Sequence, residues 1–309
     1  TLWTHDPHEI EMLSTKREQQ EKLPGVKLPD NIAIEADLET ALTYEDVVVM
    51  AVPSPVVRTV AKQMSPFVKD GQIIVNVAKG IEDVTYKTLS DIIEEEIPNA
   101  EVCVLSGPSH AEEVGRGIPT TVVIGAKNKK TAEMLQDVFM NKVFRVYTSS
   151  DIIGIELGGA LKNVIALAAG TVDGLGYGDN TKAALMTRGI AELTRLGEAL
   201  GGKPETFSGL TGVGDLIVTC TSVHSRNRKA GYLMGKGMTA EEAMKEVKMV
   251  VEGVYSAKAA LGLAKKCNVS VPIVEAVNRV LFENADPKEE VSNLLLREKK
   301  QEHTNLEWD

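Results

Sequence analysis

The stretch "DVVVMAVPSPVVRTVAKQMSPFVKDGQIIVNVAKG", Asp46–Gly80, decides the fold class. It opens on a short apolar run, Asp46–Val52, and closes on another, Gln72–Ala78. Both are rich in Val or Ile, and neither alternates polar with apolar residues. Such runs are buried on both faces, as the strands of a parallel sheet are. Between them, Ser54–Val68 reads as a helix. Strand, helix, strand in that order implies a parallel sheet with helices on its faces.

The pattern extends both ways. Upstream, "TLWTH" (Thr1–His5) looks like the end of a strand, followed by helical Pro7–Lys22 and Leu38–Tyr44. Downstream come helical Thr85–Ile97 and the strands Glu101–Gly107, Thr120–Ala126 and Phe144–Ser150, with a helix between the last two. After Ser150 the strand signal stops. Thr181–Leu200, Ala240–Val247, Tyr255–Cys267, Ile273–Asn284 and Lys288–Lys300 all read as helices, with Gly201, Gly202 and Asn268 as C-terminal caps. The expected organisation is an α/β domain over residues 1–149 and an all-α domain over 150–309. The polar tail beyond Arg297 is expected to fray. A dinucleotide-binding sheet of this kind starts with a strand, a Gly-rich turn and a helix. No G-x-G-x-x-G follows a strand here, and the first residues read as the second strand of such a fold.

Composition narrows the function. A net charge of −10 and a pI near 5.2 argue against a nucleic acid or an anionic membrane as the main partner, and leave room for a local basic pocket. The three cysteines, Cys103, Cys220 and Cys267, are odd in number and widely spaced. They fit reduced thiols in a cytoplasm better than a disulfide framework, and Cys103 and Cys220 sit in apolar surroundings that suit burial. His5 and His8 are three apart but lack Cys or carboxylate company, so no metal is expected. The opening residues do not read as a signal peptide. Ile152–Leu175 is long enough to cross a membrane, yet it carries Glu156, Lys162, Asn163 and Asp173. Central charges are costly in hydrocarbon, so we expect a buried helix of a soluble protein and no membrane insertion. Gly154 and Gly158, four apart, suggest close helix packing there.

Four stretches can carry chemistry: Asn76–Asp83, Leu105–Gly115, Glu156–Gly170 and Leu210–Gly231. Lys79 and Gly107 fall at the C-terminal ends of parallel strands, where open α/β sheets bind ligands. Position alone also suits a solvated lysine, and Gly107-Pro108-Ser109 reads equally as a plain turn or as a helix N-terminus whose free N–H groups receive an anion. Ser225 can cap the helix that follows it. Arg226 offers a bidentate fork to phosphate or carboxylate, or is simply a basic residue on a surface helix. Lys162 lies in "ELGGALKNVIALAAG", where burial disfavours the ammonium and lowers its pKa. It exchanges a proton near neutral pH, or snorkels to water, or pairs with Glu156 or Asp215.

The motifs "VAKGIE", "LSGPSHAEEV", "GGALKNVIALAAGTVDGLGYGDNTKAALMTRG" and "GVGDLIVTCTSVHSRNRKAG" resemble the bacterial NAD(P)-dependent glycerol-3-phosphate dehydrogenase family over nearly the whole chain. The resemblance implies a Rossmann-type doubly wound parallel sheet followed by an all-α domain, with the active site between them. It implies interconversion of sn-glycerol 3-phosphate and dihydroxyacetone phosphate with NAD or NADP, serving phospholipid synthesis. A cytoplasmic homodimer with a small phosphorylated substrate is the corresponding expectation. Lys162 matches the proton-transferring lysine. Lys79, Gly107, Ser109, Asn163, Asp215, Ser225, Arg226 and Asn227 match substrate positions. His5, Lys79, Ala111, Arg226, Val250 and Glu252 match cofactor positions. The family opens with a strand and a Gly-rich loop, and both are expected ahead of Thr1, with that strand at the centre of the sheet. Asp6 after the first strand favours NAD, whereas His5 could meet a 2′-phosphate, so the choice stays open.

Two rivals remain. A 6-phosphogluconate or β-hydroxyacid-type dehydrogenase would space its Lys and Asn about one helical turn apart, whereas Lys162 and Asn163 are adjacent. A non-catalytic dinucleotide-binding module would bind NADH without turnover.

Overall fold

The computed structural model describes residues 1–43, 45–299 and 301–302. Tyr44, Lys300 and the segment 303–309 of the polar tail lie outside them. Strand β1 (Leu2–Trp3) pairs in parallel with β2 (Ile34–Glu35) as a separate two-stranded sheet. The remaining strands are β3 (Val47–Met50), β4 (Ile73–Asn76), β5 (Glu101–Ser106), β6 (Thr120–Gly125) and β7 (Phe144–Ser149), ordered 3-4-5-6-7. Successive side chains explain the unbroken apolar runs. Ile74 and Val102 bury against one helical layer, Val75 and Cys103 against the other.

The sheet is not parallel throughout. Strands β3, β4 and β5 are parallel, β6 runs antiparallel to β5, and β7 runs parallel to β6. A parallel return needs a long crossover. The link after β5 holds only the one-turn helix α5 (Ala111–Val114), so the chain comes back the opposite way. Strand β2 was not expected, because two residues are too few to show a pattern.

Earlier helices are α1 (Pro7–Lys16), α2 (Leu38–Leu42), α3 (Val57–Met64) and α4 (Leu89–Glu96); α6 is Lys129–Phe139. Helix α1 stops short of the expected Lys22 because Arg17 turns left-handed (φ 52°) and donates its N–H to Leu13. Helix α4 starts late because Thr88 caps it, accepting from the Asp91 N–H.

From Ile152 to Leu295 every regular element is helical: α7 (Ile152–Gly174), α8 (Asp179–Ala199), α9 (Pro204–Phe207), a π-helical turn (Leu210–Gly214), α10 (Asp215–Thr221), α11 (Arg226–Gly235), α12 (Ala240–Val247), α13 (Glu252–Cys267), α14 (Pro272–Phe282) and α15 (Pro287–Leu295). Asn268 takes the left-handed C-cap expected of it. Helix α7 is buried on nearly all sides and packs against α8, α10, α11, α13 and α14. Its contact with α11 is glycine on glycine. A Cβ added at Gly231 would sit 2.0 Å from the Leu167 carbonyl, and one at Gly170 2.0 Å from the Arg228 carbonyl.

Helix α7 is also tied to the sheet layer. The Glu156 carboxylate accepts from the Ser90 N–H at 2.9 Å, from the Ser90 hydroxyl, and from Asn76 Nδ2 at 3.4 Å. Burial nevertheless pushes its pKa up from 4.5 to about 7. The native state therefore holds this proton more tightly than the unfolded chain, and the group's contribution to stability is lost as pH rises from about 4.5 to 7. That difference corresponds to roughly 3 kcal/mol. Glu156→Gln keeps an acceptor and a donor for Ser90 and should flatten this part of the stability profile. Chemical denaturation of both proteins between pH 5 and 8 tests it, and equal slopes would clear Glu156 of the effect.

Candidate active site

The site forms where the ends of β4 and β5 meet α7 and α10. Past β4, the Asn76 side chain bonds the Ala78 backbone at both N–H and carbonyl, each 3.1 Å, which shapes the turn that presents Lys79. Lys79 Nζ donates to the Gly107 carbonyl at 2.9 Å and to Asp215 Oδ2 at 2.6 Å. Gly107 needs to be glycine. Its φ is 144°, and a Cβ would lie 3.0 Å from Val122 Cα. The Ser109 hydroxyl donates to the same Gly107 carbonyl at 3.0 Å.

Lys162 approaches from the other side. Its Nζ donates to Asp215 Oδ1 at 2.5 Å and to the Thr219 hydroxyl at 2.6 Å. Thr219 in turn donates to the Asp215 carbonyl one helical turn earlier, at 2.6 Å. Of the partners open to Lys162, the structure selects Asp215 over Glu156 and over water. Lys162 is 5% exposed and Asp215 1%. One buried carboxylate thus serves two ammoniums, and the cluster carries net positive charge. Burial pulls Lys162 down to about 8; Asp215 opposes this and Lys79 adds to it. Burial pushes Asp215 upward, but the two lysines more than offset it and hold the carboxyl below its usual range.

Asn163, next to Lys162, bonds α11 and not Asp215. Its Oδ1 accepts from Asn227 Nδ2 at 3.0 Å, and Asn227 Oδ1 accepts from the Gly253 N–H at 2.8 Å. The Asn163 amide nitrogen has no bond among the described residues and remains as a donor. Ser225 caps α11 by accepting from the Arg228 N–H at 3.2 Å. Arg226 is exposed and makes no ion pair among the described residues, whereas Arg228 is taken by Asp173.

A second contact joins the loop after β3 to α13. Glu252, at the start of α13, accepts from the Ser54 N–H at 3.3 Å and from its hydroxyl. Burial raises the Glu252 carboxyl above its usual range, opposed by Ser54 and by the charge of Arg226. Val250 is half-buried just before α13, and Ala111 is exposed at the start of α5. His5 is set apart: it is exposed with its ring 6.1 Å from Trp3, and no hydrogen bond joins it to the cluster. Asp6 is occupied as the cap of α1. Sequence reading missed Thr219, although it lies four residues after Asp215 and so on the same helix face.

Residues 1–132 match the profile described as NAD-dependent glycerol-3-phosphate dehydrogenase N-terminus, and residues 151–292 match the C-terminus profile of the same name. The chain belongs to the NAD-dependent glycerol-3-phosphate dehydrogenase family. It is 64% identical over 307 residues to the glycerol-3-phosphate dehydrogenase (NAD(P)+) of Agathobacter rectalis, covering 99% of this chain and 91% of that protein. The Fusobacterium nucleatum protein of the same name is 60% identical, covering 98% and 91%. The crystal structure of the Coxiella burnetii glycerol-3-phosphate dehydrogenase superposes with a TM-score of 0.92 at 34% identity, covering 96% of this chain and 91% of that one.

The family takes a nicotinamide dinucleotide, and the residues present offer it polar and charged partners. The loops after β3 and β4 and the start of α13 converge through Ser54, Gly80 and Glu252 at the C-terminal ends of parallel strands. Arg226, which has no ion pair among the described residues, lends its charge to Glu252 there. Ser106 Oγ, at the end of β5, is buried without a hydrogen-bond partner among the described residues.

Proposed function

We propose that this glycerol-3-phosphate dehydrogenase family member interconverts sn-glycerol 3-phosphate and dihydroxyacetone phosphate with NAD or NADP, supplying glycerol phosphate for phospholipid synthesis. The observation that carries this reading is Lys162, a buried ammonium drawn down to about 8 and held beside Lys79 on one carboxylate. Bound nicotinamide supplies or accepts the hydride at the substrate's C2. The protein manages the proton and the charge. On reduction, Lys162 Nζ gives its proton to the C2 oxygen; on oxidation, the neutral amine takes it back. A pKa near working pH suits both directions. Asp215 and Thr219 fix the Nζ position, and Lys79 adds a second positive charge where negative charge gathers on oxygen. The Asn163 amide donates to the substrate, while Asn227 holds Asn163 in place.

Arg226, assisted by the capped start of α11, receives the phosphate. Arg226→Ala should weaken use of dihydroxyacetone phosphate by about a hundredfold, as a charged hydrogen-bonding group is lost. Dihydroxyacetone, which lacks the phosphate, should be nearly unaffected, and equal losses for both would remove Arg226 from this role. NADH binding without turnover of dihydroxyacetone phosphate would instead favour a non-catalytic module. The same family reading makes the protein a cytoplasmic homodimer, and sedimentation equilibrium checks the dimer. The buried Cys103 and Cys220, both pushed up to about 12 by burial, suit a reducing compartment.

A further inference from the structure

We propose that His110 is a substrate-contacting residue that holds the primary hydroxyl on C1 of the substrate. The inference rests on the reaction proposed above. His110 lies in the loop from β5 to α5, one residue past Ser109, and caps α5 without a side-chain bond. That loop abuts the turn before Asp215: a Cβ added at Gly214 would lie 3.9 Å from Pro108 Cδ. The His110 ring is 6.2 Å from the ring of His224, in the loop between α10 and α11, and His224 Nδ1 is 4.0 Å from Glu112.

His110 Nε2 is buried and has no hydrogen-bond partner among the described residues. A polar nitrogen in that state is costly unless something arrives to satisfy it. The charges facing it are Lys162, Asp215, Glu112 and Lys79. Burial and the two lysines hold its pKa below 6.5, so near pH 7 the ring is neutral and its Nε2 suits an uncharged partner. The substrate has three polar groups. Lys162 takes the C2 oxygen and Arg226 the phosphate. The C1 hydroxyl remains. Of the two orphaned atoms on β5 and the loop after it, Ser106 Oγ lies against Gly159, whereas His110 Nε2 sits on the loop that abuts the turn before Asp215 and feels the charge of both lysines.

The test compares dihydroxyacetone phosphate with hydroxyacetone phosphate, which lacks that hydroxyl. The wild-type enzyme should prefer the former by about tenfold or more in kcat/KM, because the analogue leaves Nε2 unsatisfied. His110→Phe should reduce the preference to within about twofold with NADH affinity unchanged, and His110→Gln should restore most of it. His110→Phe that keeps the wild-type preference would overturn the proposal. Should His110→Phe fail to fold, the ring Cε1–Hε1 signal of wild-type His110, assigned by its loss in His110→Gln, decides. It should move on adding sn-glycerol 3-phosphate and move far less with the 1-deoxy analogue; equal responses would overturn the proposal. A wild-type enzyme that bound substrate this way but gave no turnover would sink the proposed reaction and leave the contact standing.

Discussion

Lys162→Met should lower turnover in both directions by on the order of 10²–10⁴, the usual worth of one general acid–base group. Methionine keeps the length and apolar character of the stem, and the flexible thioether packs adaptably within α7. Asp215 keeps Lys79 as a partner at 2.6 Å, so its carboxylate is not left unpaired. The variant should fold and bind NADH like wild type. The pH dependence carries a second signature. Oxidation of glycerol 3-phosphate needs the neutral amine, so its rate should rise through about pH 8. Reduction needs the ammonium, so its rate should fall across the same range. Both inflections should vanish in the variant. A folded Lys162→Met enzyme retaining more than about a tenth of wild-type turnover would make this lysine structural.

Gly231→Val should be the most damaging of the stability variants. Its Cβ would meet the Leu167 carbonyl at 2.0 Å and the Thr171 nitrogen at 2.9 Å, and both are backbone atoms of a buried helix that cannot swing aside. Helices α7 and α11 would have to separate, which costs about 3 kcal/mol or more. The melting temperature should drop by about 5–10 °C. Gly178→Ala is the control: nothing lies within 4 Å of its Cβ position and its φ is −86°. It should change stability by under about 1 kcal/mol. Comparable losses in the two variants would mean that the helix contact is looser than it looks.

Features that depend on local chemistry were legible in the sequence. Unbroken Val and Ile runs gave the strands of the buried sheet, Ser225 and Asn268 gave their caps, and a lysine in an otherwise apolar helix gave the centre of the site. Features that depend on distance along the chain were not. Strand β2 is two residues long and draws its pairing from β1, more than thirty residues away. The reversal of β6 follows from how far α5 can carry the chain, which residue types do not encode. The partner of Lys162 was open between Glu156 and Asp215, yet six residues of helix rotate by about 240°. Glu156 therefore faces Ser90 while Lys162 faces α10. Asp215 lies fifty-three residues on, beyond any helical periodicity.

The shared carboxylate joins the two halves of the molecule. Lys79 is carried by the sheet half of the molecule, whereas Lys162 and Asp215 are carried by the helical half. The acidity of Lys162 therefore depends on a residue from the other half of the molecule. Drawing Lys79 away removes a repelling charge and leaves Asp215 wholly to Lys162, and both changes raise the Lys162 pKa. Lys79 thus gives the sheet half a direct hold on the acid strength of Lys162. Lys79→Met should move the pH inflection upward from about 8. An unmoved inflection would mean that the two lysines act independently.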